Sequence, residues 1–265
     1  MTLIITELTP VGIAMAADSA ITHFESGVVR RITYATKLQA IPYLNAGIST
    51  WGIAEIDGSS TSEWLQNFIR SQESLSRNLN TFALELARHM NAHFPRNGTG
   101  QSRLGFHLAG YELRDEELLP SFYHIHEGDS QVLASRGIQV DSSQFNANHD
   151  LSPEIFRAQQ NLIARQNNAA MFIYLTRNGD IGPYVEAFRR LGDFFDTMRH
   201  FGIHVPGRPG IDARVEFLRF QIETMEQIYR LSNLHPTIGG DINGLVIPHG
   251  GVSLRTFMWP SRFTP

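Results

Sequence analysis

The chain has 265 residues, no cysteine and a formal net charge of −4 at pH 7. This composition excludes disulfides, thiolate catalysis and cysteine-based zinc sites, and it argues against a nucleic-acid partner, because phosphate binding needs a basic face. Hydrophobic residues make up 42% and charged residues 18% of the sequence, which is typical of a folded protein with a sizeable core.

The first predicted element is a β-hairpin. Two apolar runs, 2–8 and 13–17, flank the turn signal Thr9-Pro-Val-Gly12. A turn over those four residues pairs positions whose numbers sum to 21, so Leu3 faces Asp18. The hairpin therefore brings a carboxylate back beside the first threonine of the chain.

Removal of Met1 would leave Thr2 with a hydroxyl and a free α-amine on one residue. A hydroxyl nucleophile with its own base is a self-contained catalytic unit. An α-amine has a pKa of about 7.7–8.0, so roughly 10–15% of it is neutral and able to accept a proton at pH 7.

The start of the chain has no basic segment followed by a long apolar stretch, and no run approaches the length of a membrane span. We therefore expect no signal peptide, no membrane partner and a cytoplasmic location. We also expect no metal, since His89 and His93 have helical ligand spacing but lack an obvious third ligand.

The rest of the chain alternates between strand and helix signals. Strands are predicted at 36–43, 46–50, 104–111, 120–126, 242–248 and 252–257, and helices at 64–69, 80–94, 183–201 and 211–232. No internal repeat is visible, so we predict a single domain over 1–265, with an extended helical region at about 137–235. Strands that are apolar on both faces need cover on both sides, which two antiparallel sheets between helix layers provide. The predicted fold class is therefore α+β, a four-layer αββα sandwich.

Two segments resemble a known family. Gly12-Ile-Ala-Met-Ala-Ala-Asp-Ser-Ala-Ile-Thr22 resembles the second strand of proteasome β-type subunits, which are N-terminal nucleophile (Ntn) hydrolases. The segment Lys37–Gly52 is similar to the next part of that family, which carries a catalytic lysine and an oxyanion-hole glycine. The resemblance covers 2–70 and 103–127, is weak at 237–255, and is most like the bacterial proteasome homologues in chain length.

The resemblance implies an Ntn-hydrolase fold with Thr2 as nucleophile. A Lys37 ammonium near the α-amine would disfavour its charged form, by about 4 kcal/mol at 4 Å and an effective dielectric of 20. Asp18 would offset the charge of Lys37 and hold it in place. The N–H of Gly52 would face the oxyanion, a donor worth roughly 3–4 kcal/mol.

The same resemblance implies a substrate-binding pocket. It maps to Ile21, Ala35, Gln39, Thr50 and Ala54, with Ala20 and Thr22 offering backbone groups to an extended substrate. This small, uncharged lining favours an apolar substrate side chain. Ordinary packing within strands and a helix is an equally good explanation of these residues.

The second half departs from the family pattern. The family places a serine and an aspartate near the active threonine, whereas this chain has Ile238 and His235 at the corresponding positions. Ser142 or Ser143 could supply a further serine. The polar support of the amine is therefore the least matched part of the site.

The function that the resemblance implies is an N-terminal threonine hydrolase, a threonine-type endopeptidase or amidohydrolase that cleaves peptide bonds in a homo-oligomeric ring. It requires no metal or organic cofactor, and its partners are copies of itself and peptide substrates; the sequence identifies no ATPase or activator. One alternative is an amidohydrolase of the same fold acting on a small amide. The other is a non-catalytic, self-assembling ring protein, which Ile238 or a retained Met1 would favour.

Overall fold

The computed structural model describes residues 2–25, 28–94, 104–127, 144–166, 172–179, 184–185, 187–188, 210–232, 238–250 and 253–261. The strands are β1 (Leu3–Thr9), β2 (Gly12–Asp18), β3 (Ala20–Glu25), β4 (Val28–Tyr34), β5 (Leu38–Ile41), β6 (Ala46–Gly52), β7 (Glu55–Ile56), β8 (Ser59–Ser60), β9 (Leu104–Arg114), β10 (Glu117–Glu127), β11 (Phe145–Leu151), β12 (Tyr174–Gly179), β13 (Ile242–Pro248) and β14 (Arg255–Trp259). The helices are α1 (Thr61–Gln72), α2 (Leu79–His93), α3 (Pro153–Gln166) and α4 (Ile211–Leu231), and a short 3₁₀ turn spans Pro42–Leu44.

The predicted hairpin is confirmed in its register. In the β1–β2 pair Leu8 lies opposite Ile13 and Ile4 opposite Ala17, so paired numbers sum to 21 as expected. The Thr9 hydroxyl donates to the Gly12 carbonyl at 2.9 Å and closes the turn. Every residue of both strands is buried, which places the hairpin at the centre of the fold.

Two five-stranded antiparallel sheets form the body of the fold. The first sheet has the order β12-β1-β2-β13-β14, and the second sheet has the order β11-β10-β9-β6-β5. The pairs β3–β4 and β7–β8 form two small separate sheets. Side chains from the two large sheets meet in one apolar cluster, to which Ile4, Met15 and Leu245 contribute from the first sheet and Phe122 from the second.

The predicted four-layer αββα sandwich of two antiparallel sheets was wrong. The described residues form a mixed α+β fold with four sheets, and their helices do not make two uniform covering layers. Helices α1 and α2 pack on the second sheet and α4 packs on the first, whereas α3 inserts Phe156 into the cluster that holds side chains of both large sheets. Strands that are apolar on both faces show that both faces of a sheet must be buried, but they do not show which helices or strands bury them.

Polar side chains cap the first two helices, which begin at Thr61 and Leu79 rather than at the predicted positions 64 and 80. The Ser60 hydroxyl accepts the N–H of Glu63 at 3.1 Å and caps α1, and Asn78 caps α2 by accepting the N–H of Thr81 at 2.8 Å. The predicted helix at 211–232 is α4. None of the helices in the described ranges has the length and apolar character needed to cross a bilayer.

The region predicted to be helical, 137–235, contains two strands that the sequence analysis missed. β11 pairs with β10, and β12 pairs with β1, each at the edge of a large sheet. The predicted helix at 183–201 lies mostly outside the described residues. The single-domain organisation stays a prediction.

Candidate active site

A pocket opens beside Thr2, which directly precedes β1. Thr2 is 6% exposed, and it shares this pocket with Lys37 and Gly52. Five of the seven predicted substrate-binding residues also line it: Ile21, Thr22, Ala35, Thr50 and Ala54. Among the residues that the structure describes, this lining has no acidic side chain, and its one charged group is Lys37.

Asp18, at the end of β2, is fully buried beneath this pocket. Its Oδ1 accepts the N–H of Leu3 and the Lys37 ammonium, both at 2.9 Å. Its Oδ2 accepts the N–H groups of Ala20 and Gly239, both at 3.2 Å. Four donors therefore hold one carboxylate, and the first of them comes from the residue after Thr2.

Lys37 immediately precedes β5 and is 5% exposed. Its Nζ donates to Asp18 Oδ1 at 2.9 Å and to the Ala20 carbonyl at 2.5 Å. An ammonium has three N–H groups, so one is left for a group in the pocket. Burial lowers the pKa of Lys37, and the Asp18 carboxylate opposes part of that shift. A lysine in this position loses its proton more readily than one at the surface.

Lys37 carries a signal that the sequence analysis overlooked. It is the only lysine among 265 residues, so all other basic residues apart from histidine are arginines. A chain that otherwise uses arginine for its cations has kept lysine at one buried position. Lysine changes its pKa on burial far more readily than arginine does, which suits a role in proton chemistry.

Gly239 also escaped the sequence analysis. Its N–H donates to Asp18, and its carbonyl accepts the N–H groups of Ser19 at 3.2 Å and Ala20 at 3.0 Å. Its φ of +153° lies in a region that favours glycine. The motif Gly239-Gly240 was a signal for such a backbone contact, but its partner is far away in the sequence.

The remaining predicted residues fall at or beyond the edge of the pocket. Gly52 ends β6 with a φ of +105°, a conformation that favours glycine. The N–H and carbonyl of Ala20 are already used by Asp18, Gly239 and Lys37. Gln39 lines a neighbouring pocket and donates to the Ser62 carbonyl at 2.7 Å.

The expected polar support from the second half is only partly described. Ile238 is buried in the apolar cluster between the first sheet and α4. His235, Ser142 and Ser143 lie outside the described residues. In the described part of the chain, the backbone of Gly239 is what the second half contributes to Asp18.

The fold is similar to solved structures of two proteins called Anbu. A Gly-1 mutant of Anbu from Hyphomicrobium sp. strain MC1 superimposes with a TM-score of 0.54, at 12% identity, over 98% of this chain and 88% of that one. Anbu from Yersinia bercovieri, described as an ancestral beta-subunit, superimposes with a TM-score of 0.51, at 11% identity, over 97% and 87% of the two chains. No protein-family model and no curated protein matches the chain.

The assignment to the proteasome β-type subunit family was therefore wrong. The similar structures are Anbu proteins, which are proteasome-like but distinct, and no family model supports the assignment. Identity of 11–12% shows a shared fold alone. The segments that suggested the family belong to the hairpin and the strands around Thr2, and such local likeness does not separate one family of this fold from another.

A second group of titratable side chains lies between the two large sheets. His107 on β9 and His124 on β10 are paired across the strands, with ring centroids 5.0 Å apart. Burial, with a smaller contribution from neighbouring imidazoles, lowers the pKa of His107 to about 3 and that of His124 to about 2. Both rings are therefore neutral at pH 7.

We expect the free energy of unfolding to fall as the pH drops from about 6.5 towards 3. In this window the unfolded chain binds protons that the folded chain excludes, so each histidine costs up to about 1.4 kcal/mol per pH unit. Urea unfolding of the wild type and of His107→Asn, at several pH values between about 5 and 8, measures this slope. The variant should show the shallower slope, and equal slopes would contradict the assignment.

Proposed function

We propose that this chain is an N-terminal threonine hydrolase that cleaves peptide bonds and works as a homo-oligomeric ring. The observation that carries the proposal is the buried Asp18–Lys37 pair beside Thr2 in one pocket. A buried ion pair is weak support for stability, because desolvation costs several kcal/mol per ion. Its place next to a threonine at the start of the first strand favours a catalytic role.

The proposed reaction begins with the Thr2 hydroxyl and requires a free α-amine, which removal of Met1 would provide. The α-amine, acting directly or through a water, takes the proton while Oγ1 attacks the carbonyl carbon of the substrate. The Gly52 N–H would donate to the oxyanion. Collapse of the tetrahedral intermediate passes the proton to the leaving amine and leaves an ester on Thr2, which water then hydrolyses.

Lys37 would keep the α-amine neutral. A cation close to an amine disfavours protonation of that amine, and a shift of one pKa unit requires only about 1.4 kcal/mol. Asp18 in turn keeps Lys37 oriented, since it accepts one N–H of the ammonium while the Ala20 carbonyl accepts another. The remaining N–H is the one that could reach Thr2.

Peptide cleavage and ring assembly rest on separate supports. Apart from Lys37, the described lining of the pocket is uncharged, which fits an apolar side chain of a peptide. Ring assembly is supported by the likeness to Anbu, described as a beta-subunit, since a subunit belongs to an assembly. Sedimentation of the purified protein tests assembly independently of catalysis.

A peptide epoxyketone tests the nucleophile directly. Its two electrophilic carbons take up the hydroxyl and the α-amine of one residue, so only an N-terminal threonine or serine gives the cyclic adduct. The chain has no cysteine and its one lysine is buried, which removes the usual competing nucleophiles. We expect the intact mass to show loss of one Met and gain of one reagent, with the adduct mapped to Thr2.

A retained Met1, or a processed chain that takes up no reagent, would overturn the proposal. Labelling without cleavage of any peptide in a fluorogenic panel would favour the small-amide hydrolase. A chain that is inert to both but still forms rings would favour the non-catalytic ring protein.

A further inference from the structure

Glu226 on α4 is a buried carboxylate for which the proposed reaction has no use. Its side chain is 2% exposed, and it pairs with Arg230 one turn along the helix, with Nη2 and Oε1 3.0 Å apart. An ion pair of this spacing is usually found on the surface of a helix, where desolvation is small. Its burial here indicates a role inside the protein.

The Glu226 side chain lies directly against the backbone of Gly239. A Cβ on Gly239 would lie 2.9 Å from Glu226 Oε1 and 3.2 Å from its carboxyl carbon. A Cβ at this position would therefore push the end of the Glu226 side chain away from Gly239. Glu226 can therefore pack this close to the backbone at position 239 because glycine has no Cβ.

Gly239 is also bonded through its backbone to the residues of the candidate active site. The Gly239 N–H donates to Asp18 Oδ2, and the Gly239 carbonyl accepts the N–H groups of Ser19 and Ala20. Asp18 then accepts the ammonium of Lys37. An unbroken series of contacts thus leads from α4 through one glycine to the Asp18–Lys37 pair.

Four charged side chains belong to this series, with a cation at each end and two carboxylates in the middle. Lys37 and Arg230 are cations, and the carboxylates of Asp18 and Glu226 lie between them. Burial raises the pKa of Glu226, Arg230 opposes the rise, and the like charges of Asp18 and Glu223 add to it. A negative charge behind Asp18 favours the ammonium form of Lys37.

We propose that Glu226 is a positioning residue, which holds Gly239 against Asp18 and keeps Lys37 charged beside Thr2. The inference rests on the proposed function for its purpose. The sequence analysis expected a serine and an aspartate from the second half of the chain near Thr2. In this proposal the second half contributes instead through the Glu226 carboxylate, which acts on Asp18 by way of the Gly239 backbone. Its test does not require turnover, because the geometry predicts a change at Lys37 itself.

The single lysine makes that change measurable. Protein grown with ¹³Cε-lysine gives one lysine ε signal, that of Lys37, and its pH titration reports the ammonium directly. We expect Glu226→Gln to lower the pKa of Lys37 by about half a unit or more. Glu216→Gln, on the same helix but exposed, removes the same charge and should leave Lys37 unchanged.

Glu226→Asp keeps the charge and withdraws it from Gly239 by one methylene. We expect a smaller shift in the same direction, and this variant carries the test if Glu226→Gln does not fold. A Lys37 titration that is the same in the wild type, both Glu226 variants and Glu216→Gln would overturn the inference.

Turnover supplies an independent readout. We expect Glu226→Gln to lower kcat about threefold or more, in line with a half-unit pKa change, with KM unchanged and the pH profile displaced. Wild-type protein that cleaves no peptide would refute the proposed function, while the lysine titration would still decide the role of Glu226. An equal loss of kcat in Glu216→Gln would count against the positioning role of Glu226.

Discussion

We expect Thr2→Ala to hydrolyse peptides at least about 10⁴-fold more slowly than the wild type, because it removes the hydroxyl that forms the ester in the proposed reaction. Thr2 is nearly buried and directly precedes β1, and every residue of the paired strands β1 and β2 is buried. Loss of a hydroxyl and a methyl there costs little of that packing. The variant should therefore keep its fold and its assembly, which sedimentation and urea unfolding can check against the wild type.

Thr2→Ser is the matched control for this result. Serine keeps the hydroxyl and the α-amine and loses only the methyl, so measurable turnover and epoxyketone labelling should persist. Peptidase activity that survives Thr2→Ala undiminished would show that the activity comes from another residue or from a contaminant, and would remove the nucleophile from the proposal.

The second large effect is expected at Lys37. Lys37→Met keeps the length of the side chain but leaves the fully buried Asp18 carboxylate without its cation. Removing one partner of a buried pair typically destabilises a protein by about 3–5 kcal/mol. Turnover should fall by at least about 10²-fold as well, since the proposed reaction needs the Lys37 cation to keep the α-amine unprotonated.

The double variant Lys37→Met with Asp18→Asn separates stability from catalysis. Replacing both charges removes the uncompensated carboxylate, so a large part of the lost stability should return, as measured by urea unfolding. Activity should not return, because the double variant still lacks the Lys37 cation. Recovery of turnover in the double variant would show that Lys37 acts only by neutralising Asp18.

The hairpin around Thr2 could be predicted because its signals are local. A turn of four residues between two apolar runs allows one register, and the structure has it. The caps of α1 and α2 are equally local, since Ser60 and Asn78 each bond to an N–H three residues later. Such contacts depend on neighbours in sequence, so a single sequence is enough to find them.

The edge strands β11 and β12 could not be found in this way. β11 reads Phe-Asn-Ala-Asn-His-Asp-Leu, and its polar residues have low strand propensity. It is a strand because β10 offers it a free edge, just as β1 does for β12. The family assignment failed for a related reason, since it relied on the local pattern of the hairpin and the strands that follow it.

The sequence by itself determined the hairpin that follows Thr2, with its register, and the presence of one lysine in a chain of arginines. Only the tertiary structure decided how Asp18 is held: its donor Gly239 lies 221 residues away, and Glu226 of α4 packs close to that glycine. A carboxylate in the interior must find all its donors there, and the chain supplies them from wherever packing brings a backbone N–H close. The sequence shows that Asp18 needs such donors, but only the tertiary structure shows which residues donate.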